Sequence, residues 1–184
     1  PGTVFGDGLR CASGNLIRVT HAGGALAYGF LYIGTRYWLG LRPRHAFVSS
    51  SVAAAAILSI LACSQGMGFV SLALTTCFTA MFEALTAVDF FRSFRRDGGL
   101  VRLVATLVFA VSSLASLGRA YSIVPAWHGD VSVFNINSIW LLVFIALCIL
   151  QAGSLLNLIN QSLLDELRSL ADFDPLTGLL NRGG

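Results

Sequence analysis

Long apolar stretches constrain the fold of this chain more than any other feature of its sequence. A helix needs about 20 mostly apolar residues to cross a bilayer, and five stretches reach that length, approximately over residues 22–41, 47–65, 67–91, 100–124 and 138–159. Because lipid offers no partners for backbone amides, a spanning segment is either a helix or a strand of a closed barrel. Barrel strands alternate in polarity, whereas stretches such as VAAAAILSILA do not. The sequence therefore predicts an all-α fold, a polytopic bundle of about five transmembrane helices.

The composition agrees with a protein that is surrounded by lipid. Charged residues make up 11% of the chain and hydrophobic residues 55%, whereas soluble domains contain roughly 25% charged residues. The arginines lie at the ends of the apolar stretches, without the interleaved exposed aromatic residues of a nucleic-acid surface. Cys63, Cys77 and Cys148 lie inside apolar stretches and lack metal-ligand spacing. We therefore expect the chain to contact a lipid bilayer, and to bind neither nucleic acid nor metal.

Arginine is unevenly distributed between the connections on the two sides of the predicted bundle. On one side lie seven arginines, namely Arg36, Arg42, Arg44, Arg92, Arg95, Arg96 and Arg102. The connections on the other side, around residues 65–68 and 125–137, contain none. Basic residues are enriched in cytoplasmic loops, so we expect the arginine-bearing connections and the C-terminal tail to be cytoplasmic. The N-terminus is then outside, and at least one further span is expected before it.

Residues 155–172 change from purely apolar to amphipathic. Their apolar positions follow the a/d spacing of a coiled coil, with one polar member, over Leu156, Asn160, Leu163, Leu167 and Leu170. A single polar residue at such a position fixes the register of a parallel two-stranded coiled coil. About two heptads are present, and three or four identify a coiled coil from sequence. We predict a dimerising helix; the alternative is a helix that leaves the bilayer and packs on its own chain.

The segment FDPLTGLLNR follows this helix at residues 173–182. Pro175 disfavours helical geometry at Asp174, and Gly178 tolerates unusual dihedrals, so a hinge is expected between the helix and a following domain. The stretch DPLTGLLNR resembles the opening signature D-x-L-T-G-L-x-N-R of GGDEF domains, the catalytic domains of diguanylate cyclases. The matching residues are Asp174, Leu176, Thr177, Gly178, Leu179, Asn181 and Arg182. Gly183 departs from the second arginine often found after this signature in the family.

The resemblance covers only the C-terminal end of the chain, but it implies a domain plan. Residues 1–160 would be a transmembrane sensor region, 155–172 a signalling helix, and 173–184 the first residues of a GGDEF domain. The preceding LRSLADF looks like the signalling helix of that family, and the layout of residues 15–44, ending in RYWLGLRPR, is loosely similar to its membrane-bound members. The family further implies a bacterial inner membrane as the location.

The same resemblance implies an activity for the parent protein. Diguanylate cyclases condense two GTP molecules into cyclic di-GMP with Mg²⁺ or Mn²⁺, and two catalytic domains have to meet, which implies a homodimer. The GGDEF motif would lie after Gly184, so no catalytic residue is expected in this chain, and the chain alone is expected to be inactive. Two alternatives remain open. In the first, the following domain is degenerate or joined to an EAL phosphodiesterase domain, which would make the protein a receptor or a hydrolase for cyclic di-GMP. In the second, the chain is a small transporter or channel.

Ionisable residues inside the spans are candidates for sensing, because charges are costly within a bilayer. Glu83 lies in the third span, and we expect it to be protonated or bonded to hydroxyl and amide groups of Ser, Thr or Asn on neighbouring helices. A sensing or coupling role is one interpretation of Glu83, and a structural role is the other. Asp89 lies near Arg92, Arg95 and Arg36, and an ordinary salt bridge at the cytoplasmic interface is expected for it.

Arg119 lies near the outer end of the fourth span. Its depth differs from that of Glu83 by roughly 15 Å, so we expect no direct ion pair between them. Arg119 is expected to reach the outer interface by snorkelling. Together with His21, Arg18 and other residues of the outer connections it would then line a ligand pocket; the alternative is ordinary interface anchoring.

Overall fold

The computed structural model describes residues 23–65, 67–123 and 133–172, almost all of which are helical. The helices, in chain order, are α1 (residues 23–38), α2 (His45–Ser64), α3 (Gly68–Asp97), α4 (Leu100–Ile123) and α5 (Val133–Asp172). The described part of the chain contains no strand. The predicted all-α fold class is therefore confirmed.

Four of these helices are long and apolar enough to cross a membrane. They are α2, the segment Val70–Asp97 of α3, α4, and the segment Ile139–Arg168 of α5. The described part of α1 covers residues 23–38, which corresponds to about 24 Å, less than the roughly 30 Å of a hydrocarbon core. The chain is thus compatible with a multi-pass membrane protein with four candidate spans, and a fifth span over residues 22–41 stays a prediction.

The third helix is longer than the sequence predicts. It continues from the predicted end at residue 91 to Asp97, and Arg95 and Arg96 form its last turn. Basic side chains are favourable there because the carboxyl end of a helix carries partial negative charge. Gly98 and Gly99 then reverse the chain with φ of 71° and 98°, a region in which a side chain is strained. α4 begins directly after this turn.

The fifth helix joins two segments that the sequence analysis treats separately. α5 is 40 residues long, about 60 Å, twice the thickness of a hydrocarbon core. The predicted span 138–159 and the predicted helix 155–172 are therefore one unbroken element. All side chains between 161 and 168 are exposed. α5 thus extends beyond the packed part of the bundle.

α3 is the helix around which the others pack. Half of its membrane window is buried (50%), compared with 17–28% for the other three candidate spans. At its arginine-bearing end, Phe90 packs against Phe109 of α4, with ring centroids 5.7 Å apart, and against Leu158 of α5. Further along, Phe82 packs with Tyr32 of α1 and Val48 of α2.

We expect substitution of Gly29 to loosen the contact between α1 and α2. A Cβ at Gly29 would lie 2.9 Å from a Val48 methyl group and 3.2 Å from one of Val52, and small residues are what let membrane helices approach closely. Gly29→Leu should lower the free energy of unfolding by about 1–3 kcal/mol, measured by denaturation in detergent micelles. Gly24→Leu is the control, because a Cβ at Gly24 meets nothing within 4 Å. Equal losses in both variants would contradict the close contact.

Candidate functional site

A row of polar side chains runs along the buried side of α3. Its members recur at intervals that place them on one helix face and are each less than 9% exposed: Ser71, Thr75, Thr79, Glu83, Thr86 and Ser93. We call this row the α3 polar seam. Several of its hydroxyl groups are satisfied within α3, since Thr75 donates to the Ser71 carbonyl at 2.9 Å and Thr86 to the Phe82 carbonyl at 2.8 Å. Such bonds to the preceding turn let a hydroxyl sit in an apolar interior.

Glu83 is the member of the seam that reaches other helices. It is 1% exposed, and its two carboxyl oxygens accept hydrogen bonds from different elements. The Ser116 hydroxyl of α4 donates to Oε2 at 2.8 Å, and the Gln151 amide of α5 donates to Oε1 at 3.0 Å. We call these three residues the Glu83 cluster. The predicted serine hydroxyl on a neighbouring helix is thus found, whereas the amide belongs to a glutamine and not to an asparagine.

Two further contacts extend the Glu83 cluster. The Ser113 hydroxyl of α4 donates to the Ala80 carbonyl of α3 at 2.9 Å, one turn away from Glu83. The Tyr28 side chain of α1 lies beside the Glu83 carboxyl. A single buried carboxyl group therefore links the positions of several helices. Because an unpaired buried polar group costs about 1–3 kcal/mol, a displacement of α5 that breaks the Gln151 contact is opposed by the cluster.

Arg119 is not part of the Glu83 cluster. Its guanidinium carbon lies 5.1 Å from the centroid of the Phe144 ring, a cation–π contact between α4 and α5. Among the described residues, its Nε atom is buried without a hydrogen-bond partner. His21 and the other residues proposed to share an outer pocket with Arg119 lie outside the described residues, so that pocket stays a prediction.

A buried ion pair joins α1 to α3 at the arginine-bearing end of the bundle. Arg36 donates to the Asp89 carboxylate, and the two side chains are only 9% and 4% exposed. Arg36 also donates to the Tyr32 hydroxyl at 3.2 Å and to the Arg42 carbonyl at 2.9 Å. Arg92 lies 3.8 Å from the other Asp89 oxygen. The predicted salt bridge of Asp89 is therefore confirmed, and its burial is an addition from the structure.

The predicted dimer positions of α5 lie on the surface of the single chain. The exposed fractions of Leu156, Leu163 and Leu167 are 59%, 52% and 61%, and Asn160 is exposed as well. Leu158, Gln151 and Ser154 point into the bundle instead. The side chains from 161 to 168 are exposed, and Gln161, Ser162 and Asp165 line a cleft with residues of other helices. The dimerising helix and packing on the same chain therefore both stay predictions. The Leu170 side chain and the motif from Asp174 to Arg182 lie outside the described residues.

Sequence reasoning identified Glu83 but not its partners. An amide inside a predicted span is itself a signal, because polar side chains in membrane helices bond across helix contacts, and Gln151 in the fifth span met that condition. Ser116 carried no such signal, since serine is common in membrane helices. Within the part of the chain that the structure describes, His, Cys, Asp and Glu form no group of three or more that could hold a metal ion.

No protein-family model, no curated protein and no solved structure matches this chain. The functional interpretation therefore depends on the residues themselves: the Glu83 cluster, the buried ion pair, and the motif that follows α5.

Proposed function

We propose that this chain is the membrane input and transmission region of a diguanylate cyclase. The observation that carries the proposal is the continuity of α5. This helix contributes Gln151 to the Glu83 cluster inside the bundle and continues unbroken to Asp172. The segment that resembles the start of a GGDEF domain begins with Asp174, directly after this helix. One rigid element thus leads from a buried polar contact to the expected catalytic domain.

The length of α5 suits transmission by rigid-body motion. The distance along the helix from Gln151 to Asp172 is roughly 32 Å, and α5 contains no proline that would kink it. A rotation or shift of α5 at the Glu83 cluster would therefore be carried along the helix towards its end. The proposed signal is a change in the bundle that alters how strongly Gln151 is held. The Arg36–Asp89 pair would keep α1 fixed against α3 during that change.

The exposed leucines of α5 support a homodimer in the proposal. Leu156, Leu163 and Leu167 form an apolar line that is not covered by any residue that the structure describes. A second copy of α5 would cover this line as a short coiled coil. Two following domains would then face each other with one GTP each and Mg²⁺ or Mn²⁺, as the family requires. By the positive-inside rule, the arginine-bearing end and these domains would be cytoplasmic in a bacterial inner membrane.

The proposal predicts that charged side chains in place of these leucines strongly lower the synthesis of cyclic di-GMP. In the full-length protein, Leu163→Asp combined with Leu167→Asp should lower cyclic di-GMP synthesis at least about tenfold, because two like charges on each copy would face those of the other copy. Cyclic di-GMP is measured by mass spectrometry of cell extracts, and dimer content by cross-linking in membranes. The matched control is Asn157→Asp with Leu164→Asp, which adds equal charge to exposed positions outside the line. Unchanged synthesis and regulation in the test variant would refute transmission through α5.

The alternative outputs keep the same transmission scheme. A degenerate GGDEF domain, or a GGDEF domain followed by an EAL domain, would make the protein a receptor for cyclic di-GMP or a phosphodiesterase. An intact GG(D/E)EF motif in the proposed following domain would support synthesis and so distinguish these cases. The same leucine variant would then change binding or hydrolysis of cyclic di-GMP instead of its synthesis.

A further inference from the structure

An apolar groove lies on the outside of the bundle between α1 and α5. Its volume is about 570 Å³, within the range of about 300–1,000 Å³ in which proteins hold small ligands. Along α1 it extends from Ala27 to Trp38, a distance of roughly 17 Å. Phe30 on one side is 68% exposed and Ile159 on the other is 47% exposed. The groove is therefore open towards the lipid that would surround a membrane bundle.

A polar cleft adjoins this groove at the arginine-bearing end of the bundle. The cleft has a volume of about 220 Å³, and Trp38 and Leu158 line both the groove and the cleft. Inside the cleft lie the side chains of Arg96 and Arg102. The apolar groove and the charged cleft thus lie side by side and meet at Trp38 and Leu158.

A second polar cleft of about 200 Å³ continues from the first. The two clefts share Leu39, Ser93 and Arg96, and the second adds the side chains of Arg36 and Arg92. The charged end formed by the two clefts therefore extends from the α3–α4 turn to the buried ion pair of α1 and α3.

Arginine exceeds carboxylate at this charged end. Asp97 forms ion pairs with two arginines, Arg96 at 2.8 Å and Arg102 at 3.2 Å. Asp89 likewise forms ion pairs with both Arg36 and Arg92. The remaining carboxylate of the clefts, Asp165, has its own partner in Arg168 at 3.5 Å. Each of the two shared carboxylates thus neutralises one arginine of two, which leaves an excess of two positive charges.

We propose that the groove and its two clefts form a single binding site for an anionic glycerophospholipid. An acyl chain would lie along the groove, and the phosphodiester would lie at the charged end between Arg92 and Arg96. Guanidinium groups bind phosphate oxygens with paired hydrogen bonds, and basic clusters near the surface of a membrane select anionic head groups. The site stands on this geometry alone and does not depend on the proposed function.

The chain offers a variant that fills the groove without disturbing the bundle. Gly34 lines the groove, and a Cβ at this position meets nothing within 4 Å. Gly34→Leu should therefore occupy the space of the acyl chain and also favour the helix. Gly24→Leu is the matched control, since Gly24 lies on the same helix, has equally open surroundings and does not line the groove.

The experiment titrates the purified chain in neutral detergent with phosphatidylglycerol or phosphatidylethanolamine and counts bound lipid by native mass spectrometry. We expect one phosphatidylglycerol per chain, held about tenfold more tightly than phosphatidylethanolamine. Gly34→Leu should lower the affinity for phosphatidylglycerol about tenfold, and Gly24→Leu should leave it unchanged. Arg92→Gln with Arg96→Gln should remove the preference between the two lipids, and this variant decides the matter if Gly34→Leu does not fold.

Three results would overturn the proposal. Equal affinity for the two lipids in the unsubstituted chain would show that the charged end selects no head group. Equally tight binding of soluble glycerophosphoglycerol would show that a free phosphodiester suffices and that the groove contributes nothing. A dimer that Gly34→Leu disrupts, with lipid binding intact, would show that a second copy of the chain covers the groove.

Discussion

Asp89→Ala is expected to lower the free energy of unfolding by about 3–5 kcal/mol, the cost of removing one partner from a buried ion pair. The substitution leaves the guanidinium group of Arg36 buried, with a side-chain exposure of 9%. The Tyr32 hydroxyl and the Arg42 carbonyl remain as partners of Arg36, but neither carries a full negative charge. Unfolding in detergent, followed by circular dichroism against temperature or denaturant, measures the loss.

The matched control for Asp89→Ala is Asp97→Ala on the same helix. Asp97 also forms ion pairs with two arginines, but its side chain is 32% exposed and that of Arg96 is 64% exposed. Surface ion pairs contribute little because water solvates both partners when they separate. The unfolding midpoint should therefore hardly change in Asp97→Ala. Similar losses in the two variants would show that burial does not set the strength of the Arg36–Asp89 pair.

A double variant separates the cost of an unpaired charge from the value of the pair. Replacing both members, Arg36→Met with Asp89→Leu, removes both buried charges and fills their space with apolar groups. Such replacements are often neutral or stabilising, so this variant should be more stable than Asp89→Ala. If it is as unstable as Asp89→Ala, the hydrogen bonds of Arg36 to Tyr32 and Arg42 matter more than its charge.

The positions of the helices were predictable because the hydrophobicity of a segment, and the need to hydrogen-bond its backbone amides within the segment, depend on neighbouring residues only. The predicted spans 47–65 and 100–124 agree with His45–Ser64 and Leu100–Ile123 to within two residues. Helix ends were less predictable where the sequence changes from apolar to charged but the backbone stays helical. α3 runs through Arg92 to Asp97 because only the glycine pair after Asp97 stops it. For the same reason α5 crosses the change from apolar to amphipathic sequence near residue 155 without a break.

The candidate sites were predictable in part. Glu83 and Asp89 stood out because a carboxyl group in an apolar segment needs a partner. The partners of Glu83 depend on packing between helices far apart in the chain, which no local pattern encodes. Arg36 and Arg92 were expected for Asp89, because all three lie at the same end of the predicted bundle. Gln151 is 68 positions from Glu83, and Arg36 is 53 positions from Asp89. The groove between α1 and α5 is likewise a product of packing, and none of its residues is unusual for a membrane helix.

The Glu83–Gln151 hydrogen bond is expected to couple α3 and α5 by about 1–2 kcal/mol, in the upper part of the range measured for interhelical hydrogen bonds in membrane proteins. This coupling energy is measured with a double-mutant cycle of Glu83→Leu and Gln151→Leu. It is the difference between the stability change of the double variant and the sum of the changes of the two single variants. The control cycle pairs Glu83→Leu with Ser154→Ala. Ser154 is also buried on α5, but its hydroxyl donates to the Leu150 carbonyl of its own helix at 2.8 Å, so these two energies should add.

In the proposed diguanylate cyclase, the same variants would connect stability to cyclic di-GMP output. If α5 transmits the state of the bundle, Glu83→Leu and Gln151→Leu should each change cyclic di-GMP synthesis several-fold and in the same direction, because both release α5 from the same contact. The double variant should then change synthesis no further than either single variant, since the contact can be lost only once. Ser154→Ala should leave synthesis unchanged. Additive effects on synthesis, or opposite effects of the two single variants, would mean that the bond between Glu83 and Gln151 holds the bundle together without reporting its state through α5.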